Sequence, residues 1–545
     1  MPGLHKCSRL SNRRKTIHPY PARKFLGLFF VLLVGGLMVA IFAALVFSPQ
    51  PAGKVSPAPD ILHLLRMGLI QATLSTSISL LAGIALSWSL DRLRFWGRSF
   101  IISMLATAIV APGLVIALGL ISIWGRSGWF ADLASLFAIE WTGNIFGLPG
   151  IILAHTVLNG TFAAHLFLSR LNAIPSQKIK LARSLAPNPW KRFAILDWPA
   201  ISGALPSIAS IVFLLTFTSF PIVLLLGGGP ANQTLEVAIY SAVRMDFNLQ
   251  AATSLALVQL GICLVVILPT LGSGRNFSTA GNTDSHHWPD RGAIKIAQIL
   301  ILIVAIAGFA SPVLAVLQKG LGSGFFAAIS RPSFIMAAQN SLVLGSISAI
   351  LTLFIATRIA MTTNSPFAQS KLASALLMTP IFAYLVMPSV VLSLGFFMLT
   401  RLLGLSNTIA APAVLIIANI LLALPFVYAI IAPALKSIHS RYDKQARALN
   451  LNGFERWNLI ERPLLGREIG LALALAFSFS LGDLGVISLF GTAEFSTLPW
   501  QMFRAMGAYR NNDAATIAAI MLLLSMAVFL TFPIIFNQGG KIVKN

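Results

Sequence analysis

Few side chains in this sequence could do chemistry, and most of those lie in apolar surroundings. Asp483, in Ser480-Leu481-Gly482-Asp483-Leu484-Gly485, is a carboxyl set between glycines inside a long apolar run. In a bilayer it could meet a coupling ion or a substrate, or it could serve a broken or closely packed helix; the structural role is the stronger reading. His155 and Asn159 are four residues apart and share a helix face. They could line a path, although a hydrogen-bonded pair between helices accounts for them better. These three residues are the candidates for a translocation path. Cys7 and Cys263, one in a basic tail and one in an apolar run, cannot plausibly meet, so neither a disulfide nor a cysteine metal cluster is expected. Cys263 reads as a small buried apolar side chain. No GxxxxGK[ST] phosphate loop is present, so any ATP hydrolysis belongs to a separate subunit. No catalytic residue, metal ligand or bound cofactor is expected of this chain.

The other distinctive residues come in two matching stretches, Lys178–Pro199 (KIKLARSLAPNPWKRFAILDWP) and Tyr442–Pro463 (YDKQARALNLNGFERWNLIERP). Each reads helix, break, helix. In the first, Ile179, Ala182 and Leu185 recur at helical spacing, and Asn188-Pro189 offers a cap with proline at the first helical position. In the second, Tyr442, Ala446 and Leu449 form the apolar stripe, and Asn452 with Glu455 resembles a capping box. A short basic two-helix loop with an apolar stripe suits docking on a cytosolic partner. A single copy could be an ordinary charged loop, but two copies with one internal spacing argue against that. Trp190 and Phe193, with Phe454 and Trp457, are the expected anchors, large aromatics suited to filling pockets.

The elements that must position these residues are membrane spans. The chain is 57% hydrophobic and 10% charged, far from the balance of a soluble domain. Apolar runs of about 20 residues or more recur along it, as a bilayer-spanning helix requires. They lie near Phe25–Phe47, Ile61–Leu90, Phe100–Trp124, Leu148–Leu171, Ile201–Leu226 and Gln250–Leu271. A second set lies near Ile294–Leu317, Phe334–Met361, Leu372–Arg401, Asn407–Ala432, Glu468–Phe490 and Ala514–Phe536. The fold class is therefore an all-α polytopic membrane protein with about twelve transmembrane helices. Its net charge of +23 could suggest nucleic acid, but the basic residues gather in alternate loops, the positive-inside pattern. The partner implied is the bilayer, not nucleic acid. With the N-terminus inside, one face holds Arg92, Arg94, Arg98, both docking loops, Arg275, Arg291, Lys295, Lys541 and Lys544. The other keeps Lys54, Arg126, Arg244, Lys319, Arg331, Arg401, Arg504 and Arg510. Both termini are thus expected in the cytoplasm, and the first span, lacking a convincing cleavage site, is expected to be retained.

The chain is also duplicated. At nearly the offset that separates Pro199 from Pro463, Leu226-Gly227 answers Phe490-Gly491, Thr234-Leu235 answers Thr497-Leu498, and Ala251-Ala252-Thr253 answers Ala514-Ala515-Thr516. Ala111-Pro112-Gly113-Leu114-Val115 resembles Met387-Pro388-Ser389-Val390-Val391. Two parallel halves of six spans follow, related by an axis along the membrane normal, as in transporters that enclose a path between repeats. The expected division is a basic tail over 1–24, a first half over 25–271 with its loop at 175–199, a linker over 272–293, a second half over 294–536 with its loop at 438–463, and a tail over 537–545. Pro112 and Pro388 in one pair of spans, and Pro221 and Pro425 in others, suit kinks that serve either a gate or packing.

Both loops resemble the EAA loop of ABC importer permeases, Glu-Ala-Ala, three residues, Gly, nine residues, then Ile-x-Leu-Pro. Lys180-Leu181-Ala182 and Ala186 lead to Leu196-Asp197-Trp198-Pro199, and Lys444-Gln445-Ala446 and Asn450 lead to Ile460-Glu461-Arg462-Pro463. The spacing is kept; lysine replaces the glutamate, and alanine or asparagine the glycine. Within that superfamily the chain resembles, end to end, the fused permeases of thiamine ABC importers. The stretches that carry this are Gly227-Gly228-Gly229-Pro230, Thr234 to Tyr240, Ala154-His155 with Asn159, Gly482 to Val486, Leu489-Phe490-Gly491, Thr497-Leu498-Pro499 and Tyr509-Arg510. The resemblance implies two tandem six-helix halves of the type I (MetI-like) fold in the bacterial inner membrane. It implies two copies of a cytosolic ATPase, which hold the ATP and Mg, each receiving one loop. It also implies a periplasmic protein that delivers thiamine or its phosphate esters. Lys180, Ala182, Ala186, Pro199, Lys444, Ala446, Asn450 and Pro463 join the four aromatics as the ATPase-docking set. A fused ferric-iron ABC permease shares this plan and stays open as the alternative. An ion-coupled secondary carrier would need more intramembrane carboxylates than the chain contains.

Overall fold

Within a bilayer core the backbone has only protein to hydrogen-bond, and this chain answers with helices throughout; the described residues contain no strand. The computed structural model describes residues 21–47, 60–107, 110–141, 143–185, 188–271, 290–322, 324–365, 370–451 and 453–537. In the first half α1 is Pro21–Phe47, α2 Ile61–Arg92, α3 Arg98–Thr107, α4 Gly113–Trp124, α5 Trp129–Ser135, α6 Leu148–His155 and α7 Thr161–Asn172. The first loop carries α8 (Ser176–Leu185), α9 (Pro189–Arg192) and α10 (Trp198–Ser202), and α11 (Leu205–Phe217), α12 (Phe220–Leu226), α13 (Leu235–Arg244) and α14 (Leu249–Leu271) follow. The second half runs α15 (Ala293–Gly320), α16 (Phe325–Ile329), α17 (Pro332–Thr363), α18 (Lys371–Ala383), α19 (Ser389–Leu402) and α20 (Asn407–Ala448). It ends with α21 (Gly453–Arg456), α22 (Arg462–Leu464), α23 (Gly466–Gly482), α24 (Gly485–Phe490), α25 (Leu498–Gly507) and α26 (Asn511–Ile535).

Among the described residues, ten helices are long and apolar enough to cross a membrane. The pair Pro189–Ser202 and Leu205–Phe217, bent by 55°, makes an eleventh. The stretch Leu372–Arg401, expected to span as one helix, is divided into α18 and α19. Pro112 and Pro388 do not kink continuous helices. Each precedes the first residue of a new helix, α4 or α19, with extended backbone (ψ 128° and 144°), because proline has no N–H to continue the ladder and suits a helix start. Pro425, by contrast, lies inside the unbroken α20.

The halves are not side-by-side units in chain order. Helix α1 packs on α17, α18 and α19 of the second half, and α15 packs on α2 and α4 of the first. The exchange is made close by two glycines at equivalent positions. A methyl group on Gly119 of α4 would overlap the Pro312 backbone of α15, and one on Gly395 of α19 would overlap Ile41 of α1. Small residues let helices approach where no hydrophobic force drives them together. Polar ties reinforce both contacts: Tyr384 Oη donates to Val34 O at 3.0 Å, Trp129 Nε1 to Gln318 Oε1 at 2.7 Å and Lys319 Nζ to Ser127 O at 3.0 Å.

Gly395→Leu is therefore expected to push α1 off the second half and cost about 1–3 kcal/mol, read as earlier thermal unfolding of the detergent-solubilised protein. Gly36→Ala, on the same α1 helix but with nothing within 4 Å of the added methyl, is the matched control and should not unfold earlier.

Candidate functional site

The first loop restarts its helix as its sequence dictates. Asn188 accepts the Lys191 N–H at 2.8 Å, with Pro189 in the first turn. In the second loop the upstream helix is not separate, because α20 runs from the span through to Ala448. Pro175 breaks the chain before α8, whereas the second loop has His439 at the same repeat position, and the helix continues. It ends in a Schellman turn: the Leu451 N–H donates to Ala446 O at 2.9 Å and the Asn450 N–H to Arg447 O at 3.1 Å, with Asn450 at φ 50°. Asparagine is among the few residues besides glycine that enter this left-handed region readily, which explains how it replaces the glycine of the EAA pattern. Ala186 and Asn452 lie outside the described residues.

Lys180 and Lys444 are exposed, while Ala182 is the buried residue of α8 and Ala446 is buried near the end of α20. The aromatics divide by position. Trp190 and Phe454, which answer each other in the repeat, are 74% and 75% exposed. Phe193 and Trp457, three residues on, are half-buried. Phe193 meets Trp88 of α2 edge-on at 6.3 Å between ring centroids and lies at the same distance from Trp198, and Trp457 packs on the core. Each loop thus leaves one aromatic free and uses one to hold itself to the membrane helices. Pro199 and Pro463 each start the short helix, α10 or α22, that leads back to a span.

Both loops then pass through a five-residue π-helical segment at one repeat position, Phe193–Asp197 and Trp457–Glu461, and each segment ends on a buried acid. Asp197 pairs with Arg92 at the end of α2. Glu461 accepts from Arg456 Nε at 2.9 Å and lies 3.0 Å from His439 Nε2, and Arg456 also reaches Asp443 at 2.9 Å. Arg192, which answers Arg456, pairs instead with Asp290 just before α15, and Gln298 donates to the same carboxylate at 2.7 Å. These buried ion pairs were not among the candidates from sequence. The available signal was the recurrence of an arginine (192, 456) and an acid (197, 461) at matching positions of both loops.

A cavity of about 290 Å³ lies between the halves. Pro112 and Gly113 border it from the first half, and Pro388, Ser389, Asn419 and Asp483 from the second. Asp483 occupies the break between α23 and α24, where its carboxylate accepts the Val486 N–H at 3.2 Å. Asn419 Nδ2 donates to Ser480 Oγ at 2.7 Å, and Ser478 Oγ, buried at the cavity wall, has no hydrogen-bond partner. His155 and Asn159 do not border this cavity. His155 Nδ1 lies 2.9 Å from Gln71 Nε2 and 3.2 Å from Ser75 Oγ, both on α2, and Asn159 is buried in the π-helical turn Thr156–Gly160. Among the described residues no group of three or more His, Cys, Asp or Glu is placed to hold a metal.

Two parallel sets of broken membrane helices, a loop with one free aromatic in each, and a cavity where the sets meet define a fused two-half transport permease. The chain is 33% identical over 522 residues to the thiamine transport system permease protein ThiP of Escherichia coli, covering 94% of this chain and 96% of that protein. It is 34% identical over 505 residues to ThiP of Haemophilus influenzae, covering 92% and 93%. The chain belongs to the ThiP family of thiamine transport system permeases. A probable molybdenum ABC transporter permease of Haloferax volcanii matches 251 residues at 26% identity, which is 45% of this chain but 90% of that protein. No protein-family model matches the chain.

Removing Glu461 leaves Arg456 and His439 facing a buried gap. Glu461→Ala is expected to destabilise the second loop by about 3–5 kcal/mol, seen as protease cutting near residue 450 at concentrations that leave the parent intact. Asp443→Ala, whose side chain is 30% exposed, should change this far less.

Proposed function

We propose that this chain forms both halves of the pore of an ABC importer that moves thiamine or its phosphate esters from periplasm to cytoplasm. End-to-end similarity to proteins of that function carries the reading, and the paired loops support it. In this reading the basic loop face is cytoplasmic, with both termini, and the membrane is the bacterial inner membrane. Two copies of a cytosolic ATPase bind one loop each and hold ATP and Mg; the chain itself is not an enzyme and binds no cofactor. A periplasmic binding protein delivers the substrate to the outer mouth. Closure of the ATPase dimer moves the loops as levers; the first is tied to α2 by Asp197 with Arg92, and the second to the long helix α20 by Glu461 with His439 and by Arg456 with Asp443. The docking contact is made by Trp190 and Phe454, which reach out from loops otherwise held to the membrane.

The permease reconstituted in lipid with its ATPase is expected to hydrolyse ATP faster with thiamine-loaded delivery protein and to ignore a ferric-loaded one. Stimulation by iron alone would move the chain to the ferric branch. Trp190→Ala and Phe454→Ala should each weaken ATPase binding by about 2 kcal/mol, measured as co-purification. Full recovery from both variants would dismiss these anchors.

A further inference from the structure

The turn that joins α2 to α3, Leu93-Arg94-Phe95-Trp96-Gly97, lies on the basic loop face and carries an unanswered positive charge. Arg94 is exposed and, among the described residues, has no ion-pair partner. Arg98, the first residue of α3, is close enough for the two charges to repel, and its Nε donates to Leu90 O at 2.9 Å. That bond holds the guanidinium at the end of the span. Asp91, which attracts Arg98, is shared with Arg92 at 3.4 Å. Gly97 turns the chain at φ 86°, and beside it Trp96 stands fully exposed. Tryptophan at the end of a span is typical of the membrane–water interface, and arginines there attract anionic headgroups.

Deeper along α3 there is an apolar cavity of about 130 Å³. It lies between the end of α3, α15 and α26, bordered by Met104, Phe309, Val313, Leu314, Leu522 and Met526, and Asp483 does not reach it. Leu314 is 55% exposed, so the rim meets the bilayer. The side chains of the border offer one hydroxyl, Ser525 Oγ, whereas a water needs roughly two to four polar partners; the space suits an apolar guest. Leu93, Phe95 and Leu105 share one apolar cluster with Leu302 of α15, so the arginine turn sits at the loop-face end of the same seam. Met104 lies six residues beyond Arg98, about 9 Å along the helix. That is within the roughly 15 Å of hydrocarbon in one leaflet.

We propose that this seam binds one phospholipid with an anionic headgroup. Arg94 and Arg98 hold the headgroup beside Trp96, and an acyl chain runs along α3 into the apolar cavity. A pair of arginines attracts any anion, and an apolar cavity takes any apolar guest. Joined within the depth of one leaflet, they call for a molecule with both ends. The site spans the two halves, since α3 belongs to the first and α15 and α26 to the second. A bound lipid therefore fastens α3 to the second half. The proposal depends on the chain lying in a bilayer and not on which substrate it carries.

The test uses the full permease, solubilised and stripped of lipid. Native mass spectrometry counts the lipid that rebinds, and thermal unfolding reads its effect. Dipalmitoyl phosphatidylglycerol should bind at least tenfold tighter than dipalmitoyl phosphatidylcholine and raise the unfolding temperature more. Arg94→Gln, at an exposed position, should weaken phosphatidylglycerol about fivefold, the share of one juxtamembrane arginine, and leave phosphatidylcholine unchanged. Dihexanoyl phosphatidylglycerol, whose short chains stop before the cavity, should bind at least tenfold weaker than the dipalmitoyl lipid. Ala310→Phe, or the smaller Ala310→Val should the first fail to fold, fills the cavity from its border and should shrink that chain-length difference, to within twofold for phenylalanine. Equal binding of the two headgroups, or an Arg94→Gln permease that keeps the full preference, overturns the proposal. So does equal binding of long and short chains. Competition by soluble glycerophosphate as strong as by the lipid would leave an anion site only and overturn it as well.

Discussion

Inside a bilayer an unpaired backbone amide or carbonyl has no water to turn to, and that constraint governs how this permease can be opened at its centre. A path between the halves needs broken helices, and every break exposes helix ends. The break after α23 is closed by Asp483, whose carboxylate takes the Val486 N–H. The other end of α24 is closed from across the halves: Arg244 of α13 donates to Ser488 O at 2.8 Å and Gly491 O at 2.5 Å, with its guanidinium 5.3 Å from the centre of the Trp500 ring. One short helix at the cavity is thus held by an acid at its start and an arginine at its end, as the helix dipole favours.

The two loops solve one mechanical problem with different anchors. Both bury an alanine, turn through a π-helical segment and end on an acid, so the free aromatic projects from the same position in each. The second loop is fastened within its own half, through Asp443, Arg456, Glu461 and His439. The first is fastened to α2 through Asp197 and to the approach of α15 through Arg192 and Asp290. The first loop is therefore joined directly to the start of the second half, since α15 begins three residues after Asp290 and packs back on α2 and α4.

What could be read from the sequence was local. Asn188-Pro189 specifies a helix start by residue type alone, and the repeated spacing of the loops places a π-helical segment at the same position of both copies. The exchange of α1 and α15 was not legible, since chain order places α1 with the half it does not pack against. Its only trace is a pair of glycines, Gly119 and Gly395, whose purpose depends on residues far away in sequence, Pro312 and Ile41. The linker read as a spacer, yet Asp290 at its end is locked against Arg192, a pairing that no periodicity reveals. His155 was legible in kind but not in partner. A hydrogen bond between helices accounted for it better than a path, and its ring meets Gln71 and Ser75 of α2, partners that its spacing to Asn159 does not name.

Fusion of the halves has a further consequence. In a permease built from two identical chains, every charged group at the axis occurs twice. Here the positions that answer Asp483, Glu236 and Arg244 in the repeat are Ser219, Pro499 and Gly507. Doubling Asp483 would set two carboxylates across a narrow cavity, where low dielectric makes like charges repel strongly. Doubling Arg244 would place a second cation near the same path. A single chain escapes that symmetry: one half supplies Asp483 at the cavity, and the other supplies the arginine that caps the helix beginning beside it. The halves share their spans and loops, as the repeat in the sequence sets them out. They differ at the centre because one acid and one arginine suffice to hold the two ends of α24.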